Sequence, residues 1–219
     1  MIVLELVDCK KCTSLPSIGL LGSLKSLNIK GKNGIKSIGS EFYGEHCSNP
    51  FRSLETLCFK NLQEWHCWDP VKENESFPKL EELSNYKLPQ TLRKITQQSL
   101  FIEEACDLQR LQVIRIYNEI FLKKPPQGLH SLISLRELDL KYCDILTTLL
   151  EGIKHMNAHM EDFRIENCDS LNFIFRGQLP QSLKNLHIEN FEKLQYLLDD
   201  DNEDTCTSQR ECQHWHISS

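Results

Sequence analysis

The 219-residue sequence has no surplus of basic charge. Its 25 Lys and Arg stand against 31 Asp and Glu, a formal net charge of −6. A chain built to hold nucleic acid carries a basic excess or stripe, so no nucleic acid is expected as a partner. No apolar run approaches the roughly 18 residues that a spanning helix needs, so no membrane association is expected either. A secretory leader is missing too: Glu5 and Asp8 follow Met1 closely, where a leader needs a basic start and an uninterrupted apolar stretch. The expected location is the cytoplasm, or the nucleus. Thiols stay reduced there, so the 10 cysteines are expected to be free.

The motifs of common chemistry are lacking as well. There is no G-x-S-x-G elbow, no H-E-x-x-H helix and no G-x-x-x-x-G-K-[ST] phosphate loop. The chain is therefore read as non-enzymatic, with no cofactor. Disorder of the whole chain is excluded by its 40% hydrophobic content, which is that of an ordinary globular domain. One glycosylation sequon, Asn74-Glu75-Ser76, is a pattern short enough to arise by chance.

What the sequence does have is leucine: 33 residues, arranged periodically. Leu24-x-x-Leu27-x-Ile29 recurs as Leu54-x-x-Leu57-x-Phe59, Leu111-x-x-Ile114-x-Ile116, Leu135-x-x-Leu138-x-Leu140, Met160-x-x-Phe163-x-Ile165 and Leu183-x-x-Leu186-x-Ile188. Met1-x-x-Leu4-x-Leu6 fits the same frame. The last four units are spaced 24, 25 and 23 residues apart, inside the leucine-rich-repeat period of about 20–29. The two apolar residues at i+3 and i+5 alternate as on a strand and face one side. An apolar set at i, i+3 and i+5 would wrap around a helix instead of lining one face. One coil cannot bury its leucines alone, but stacked coils bury each other's. The expected fold is an α/β leucine-rich-repeat solenoid, a horseshoe with a parallel concave β-sheet and an irregular convex side.

Residues 1–198 are assigned to this domain, and 199–219 to an acidic, polar tail expected to be disordered. The tail opens on Asp199-Asp200-Asp201-Asn202-Glu203-Asp204, which lacks the alternating ligands, central Gly and final Glu of a calcium loop. The middle, residues 80–107, is irregular. Leu80-x-x-Leu83 begins a unit, but Asn85 replaces the second strand apolar, and Leu92-x-x-Ile95 follows too soon for a whole coil. Residues 39–47 lengthen another coil and are placed as a loop on the rim or convex side. Cys9, Cys143 and Cys168 each stand three positions past the last strand apolar, where a small, weakly hydrogen-bonding side chain suits a tight interior turn.

Two longer stretches carry a resemblance. Ser14-Leu15-Pro16-Ser17-Ile18-Gly19 through Gly34-Ile35-Lys36-Ser37-Ile38-Gly39-Ser40-Glu41-Phe42-Tyr43-Gly44 is one. Pro50-Phe51-x-Ser53-Leu54-Glu55-Thr56-Leu57-x-Phe59 with Glu64-Trp65-x-x-Trp68 is the other. They resemble the repeat region of plant coiled-coil, nucleotide-binding, leucine-rich-repeat disease-resistance proteins. The resemblance implies a protein-interaction module that takes part in recognition and in holding a receptor inactive. The implied partners are proteins: a pathogen effector, a guarded host protein, or receptor domains in cis. The phosphate loop of the complete receptors is missing, and Met1 already occupies a repeat position. The chain is therefore expected to be a section of a longer receptor, with a truncated gene remnant as the alternative.

Candidate binding residues follow from the strand alternation. The positions between the two strand apolars face away from the core; they are Glu5, Asn28, Cys58, Arg115, Asp139, Arg164 and His187. Arg136 and Tyr142 flank them. From these, Asn28, Arg115, Arg136, Asp139, Tyr142, Arg164 and His187 are taken as the concave-face binding set. Arg115, Asp139 and Arg164 are expected to pair with each other across neighbouring strands. Trp65 and Trp68 are read as packing over the convex side of the third coil. A metal or thiol function would have to come from Cys206, Cys212, His214 and His216. Cys9-x-x-Cys12 lies at the other end of a solenoid, on the order of 35 Å away at the usual strand spacing.

Overall fold

The structure, a computed structural model, describes residues 2–8, 11–31, 34–44, 47–62, 65, 67–68, 77–86, 108–118, 122–124, 129, 132–149, 159–176, 179–199 and 215–218. Among them the strands are β1 (Ile2–Val7), β2 (Leu24–Lys30), β3 (Ser37–Ile38), β4 (Thr56–Lys60), β5 (Cys67–Trp68), β6 (Glu82–Tyr86), β7 (Val113–Tyr117), β8 (Glu137–Lys141), β9 (Asp162–Glu166), β10 (Phe173–Arg176), β11 (Asn185–Glu189), β12 (Tyr196–Asp199) and β13 (Trp215–Ser218). Nine of these form one sheet in the order β1-β2-β4-β6-β7-β8-β9-β11-β13. Chain order is kept along the sheet and every pair but the last is parallel. This is the leucine-rich-repeat solenoid expected from the period. Helix is scarce among the described residues: they include an α-helical turn, α1 (Ser40–Tyr43), and a 3₁₀ turn at Ile18–Leu20.

Six coils enter their strands in the same way. The first apolar residue of the unit donates its N–H to the carbonyl three residues back, as in Leu24→Leu21, Leu54→Phe51, Leu80→Phe77, Leu111→Leu108, Leu135→Leu132 and Leu183→Pro180. The next residue reaches the previous coil, as in Glu81→Glu55, Gln112→Glu81 and Arg136→Gln112. The three apolar residues then turn inward. Leu24, Leu27, Ile29, Leu54, Leu57, Leu111, Leu135, Leu138, Met160, Phe163 and Ile165 are buried in one continuous core. Each such side chain stabilises by about 1.5–3 kcal/mol, offset by the entropy of ordering the chain.

Strand β6 stands in full register between β4 and β7, with Asn85 opposite Phe59 and Ile116. Asn85 therefore occupies a core position, buried, and its neighbours on the other face stay in line. The rest of 80–107, from residue 87, lies outside the described residues. The described part of the stretch 39–47 is not a peripheral loop. Its α1 turn drives Phe42 and Tyr43 into the core, where they are fully buried. Phe42 packs on Phe51 at 4.7 Å between centroids, Phe51 stacks on Phe77 at 5.1 Å, and Tyr43 meets Phe77 at 6.0 Å. Gly19 lets this turn approach: a Cβ there would lie 2.3 Å from the Tyr43 carbonyl oxygen. Trp65 is buried against Phe59 at 5.0 Å. The side chain of Trp68 lies outside the described residues.

Two small parallel pairs, β3 with β5 and β10 with β12, are separate from the main sheet. Within the 199–219 stretch, Trp215–Ser218 pairs antiparallel with Asn185–Glu189 and adds the last strand to the sheet. Residues 200–214, with Cys206, Cys212 and His214, lie outside the described residues.

Candidate functional site: the exposed face of the sheet

The register lines up the outward positions into ladders about 4.8 Å apart per step. The central ladder runs Glu5, Asn28, Cys58, Ser84, Arg115, Asp139, Arg164, His187. All five central candidates, Asn28, Arg115, Asp139, Arg164 and His187, are on it. Ser84 is the member that the sequence pattern missed, because Asn85 obscured its unit. Arg136 and Tyr142 sit just before and just after β8, both exposed.

The pairing among these residues differs from the expected Arg115–Asp139–Arg164 chain. Arg115 reaches diagonally, to Glu82 on one side and Glu137 on the other, with Nη2 2.9 Å from Glu137 Oε1. Burial works against its charge, but the two carboxylates outweigh that and raise its pKa. Asp139 is only 4% exposed and accepts a hydrogen bond at Oδ2 from the Tyr117 hydroxyl. Its Oδ1 has no hydrogen-bond partner among the described residues. Burial, and next the bond to Asp139, push the Tyr117 phenol well above its usual 10.0, so it stays a donor. Arg164 is exposed and makes no ion pair among the described residues. Asn28 donates to Glu5 Oε1 at 3.1 Å, and Arg136 lies 3.9 Å from Glu161. Cys58 is partly buried and its thiol is raised, chiefly by burial, which leaves it a poor nucleophile.

A second ladder, two residues past the central one, reads Lys30, Lys60, Tyr86, Tyr117, Lys141, Glu166, Glu189. Its middle is an aromatic step between two cations. Tyr86 and Tyr117 meet edge to face at 4.7 Å, Lys60 Nζ lies 5.3 Å over Tyr86, and Lys141 Nζ lies 5.6 Å over Tyr117. Such contacts contribute about 0.5–1 kcal/mol each at exposed sites. The ladder ends on carboxylates: His187 Nε2 is 3.2 Å from both Glu166 Oε1 and Glu189 Oε2, and Lys141 Nζ is 2.7 Å from Glu166 Oε1. Reading every second residue past the central position would have found Tyr86 and Tyr117.

No protein-family model matches the chain. Single relatives do. A disease resistance RPP13-like protein 1 of Arabidopsis thaliana is 32% identical over 213 residues, 90% of this chain and 19% of the relative. Over nine-tenths of its length the chain is a homologue of plant disease-resistance proteins. A second disease resistance protein of the same plant is 36% identical over 96 residues, 42% of the chain and 7% of that protein. The chain thus spans about a fifth of the length of the first relative.

The stretch that carries the resemblance to resistance proteins proves to be largely structural. Gly19, Phe42, Tyr43, Phe51 and Trp65 are all buried. They build the coil interior behind the sheet, and the ladders in front of it carry the polar groups. The geometry offers contact chemistry: charges, two phenols and amides on a rigid face. No helix among the described residues is long and apolar enough to cross a membrane.

Proposed function

We propose that the chain is a protein-interaction module of a plant immune receptor, working by surface contact and without catalysis, in the cytoplasm or nucleus. Its partner is a pathogen-derived protein, a guarded host protein or another domain of the receptor. The observation that carries the reading is the exposed face itself. Tyr86 and Tyr117 stand between Lys60 and Lys141, with Tyr142 and Arg164 open to solvent beside them. Tyrosine and arginine are the residues most enriched where interfaces gain their affinity. A repeat array presents such residues on a surface that bends little on binding. The homology to disease-resistance proteins supports the immune setting.

The test is a double variant, Arg164→Glu with Tyr142→Ala, in the full chain. Titrated against a candidate partner, it should lose at least about tenfold in affinity, the equivalent of about 1.4 kcal/mol. Ile133→Lys, an exposed site outside the sheet, should bind as the parent does. Equal affinity in all three proteins would move the interface off this face.

A further inference from the structure

The open charges of the exposed face are positive, although the chain carries a net −6. Among the described residues, each carboxylate of the ladders meets a cation or a hydrogen-bond donor. Glu82 and Glu137 share Arg115, and Glu166 takes Lys141. Glu5 and Asp162 accept from the amides of Asn28 and Asn185. Asp139 accepts from Tyr117, and Glu189 faces His187. The residues just before the strands are closed likewise: Glu55 on Lys25 at 2.5 Å, Glu81 on Arg110 at 3.4 Å, Glu161 on Lys184 at 2.9 Å. Two exposed cations are left over. Arg164 makes no ion pair among the described residues. Lys60 holds its ammonium over the Tyr86 ring, with no carboxylate of the described residues paired to it.

Lys60 ends β4 and Arg164 is central in β9, four steps along the sheet. At about 4.8 Å per step, and two residues out of line along the strand, the two charges lie roughly 20 Å apart. An extended chain rises about 3.3 Å per residue and covers that span in about six residues. An incoming carboxylate would gain a partner at either end without breaking an existing pair. An incoming cation would first have to take a carboxylate from Arg115, Lys141 or Lys184, and unsatisfied charges across an interface are what suppress wrong partners. We propose that the face binds an extended acidic segment of a separate protein, with one carboxylate on Lys60 and a second, about six residues along, on Arg164. This rests on the reading of the face as a protein-contact surface. The middle of the segment is uncharged. It crosses the Tyr86 and Tyr117 rings, which offer apolar contact, and passes Asp139, which no cation neutralises and which would repel a central carboxylate. The chain's own acidic run, Asp199-Asp200-Asp201-Asn202-Glu203-Asp204, has charges throughout and does not fit this pattern.

The probe is a library of random peptides about twelve residues long, twice the required span, displayed on phage and selected on the full 219-residue chain. Selected peptides should carry Asp or Glu in pairs about six residues apart. Against one such peptide made synthetically, Lys60→Glu and Arg164→Glu should each lose at least about tenfold in affinity. Lys36→Glu makes the same charge change at an exposed position away from the main sheet and should bind as the parent does. Exchanging one peptide carboxylate for lysine should restore binding to the reversed variant that it faces, which a misfolded variant could not show. Basic or uncharged peptides that lose affinity in the Arg164→Glu, Tyr142→Ala protein would overturn the acidic partner and leave the contact surface standing. Peptides that bind this protein as well as the parent, or a selection that yields none, would overturn both. A gain of about tenfold on changing Asp200, Asp201, Glu203 and Asp204 to amides would make that run the occupant, and the proposal would fall.

Discussion

A left-handed residue follows nearly every strand of the main sheet. Asp8, Gly31, Asn61, Asn118, Tyr142, Asn167 and Asn190 all have φ between 50° and 62°. Asp8, Gly31, Asn61, Asn118, Tyr142 and Asn167 each donate an N–H to the last strand residue of the next coil, at 2.8–3.0 Å. Asn, Asp and Gly tolerate this conformation; a bulky side chain does not. Tyr142 is therefore the strained member of the series, and it is 47% exposed. Tyr142→Asn should raise stability by about 1 kcal/mol while lowering partner affinity. Denaturant midpoints and a binding titration on the same protein check both halves, and a lower midpoint would show that the ring contributes packing.

The part-buried Tyr117–Asp139 contact makes a second residue-scale prediction. A phenol whose folded pKa is raised adds stability in full below its unfolded value of about 10, and this is lost as pH rises toward the folded value. Stability should fall above pH 10 as Tyr117, and Tyr86 with it, ionise in the unfolded chain first. Tyr117→Phe should remove part of that alkaline slope. It should also cost about 1–3 kcal/mol at neutral pH, because Asp139 loses its donor. The same chemistry explains what the sequence could not reveal about the face. The alternation placed Arg115 and Asp139 on one ladder, side by side. It could not say that Arg115 would turn to Glu82 and Glu137, since diagonal neighbours lie within reach of a long side chain as readily as direct ones.

At the scale of the element, the period L-x-x-L-x-L located most of the strands because burial alone dictates it. Two elements were misread or hidden for a common reason. Asn85 broke the apolar pattern, yet backbone pairing on both sides holds β6 in register. Residues 39–47 have no strand period and so looked like a loop, but their aromatics supply core volume behind a long coil. The thiols behave as their position suggested. Cys143 and Cys168 are fully buried, and their Sγ atoms donate to the carbonyls of Lys141 and Glu166. Cys9 lies outside the described residues. The aromatic plug yields a stability prediction. Phe42→Ala should cost about 3–5 kcal/mol, the range for a buried aromatic truncated in a packed interior. Gly19→Ala should also destabilise, although it adds a single methyl group, because that group meets the Tyr43 carbonyl. Unfolding curves that place Gly19→Ala level with the parent would show that the α1 turn can withdraw.

At the scale of the whole molecule, a solenoid is stabilised coil by coil, and its sheet ends on open edges. A long edge strand with unpaired N–H and C=O groups is a template for association with another chain. β11 would be such an edge, but Trp215–Ser218 covers it by running antiparallel, opposite to every other strand of the sheet. The sequence pattern gave no hint of this, because a four-residue strand carries too little alternation to stand out from an acidic stretch. The antiparallel direction matters: a further parallel coil would need its own leucine unit, whereas one returning strand satisfies the β11 backbone without a new core. Deleting residues 200–219 should therefore leave the repeat core folded but expose β11. The shortened chain should self-associate more strongly with rising concentration in sedimentation velocity than the full chain, in which β1 is the remaining edge. Replacing Ile188 on β11 by Pro in the shortened chain should reverse this, since proline cannot donate to a new ladder partner. If the shortened chain sediments as a monomer throughout, the edge is protected by its own polar side chains, Glu189 and Asn185 among them, and β13 is then an addition to the sheet that solubility does not require.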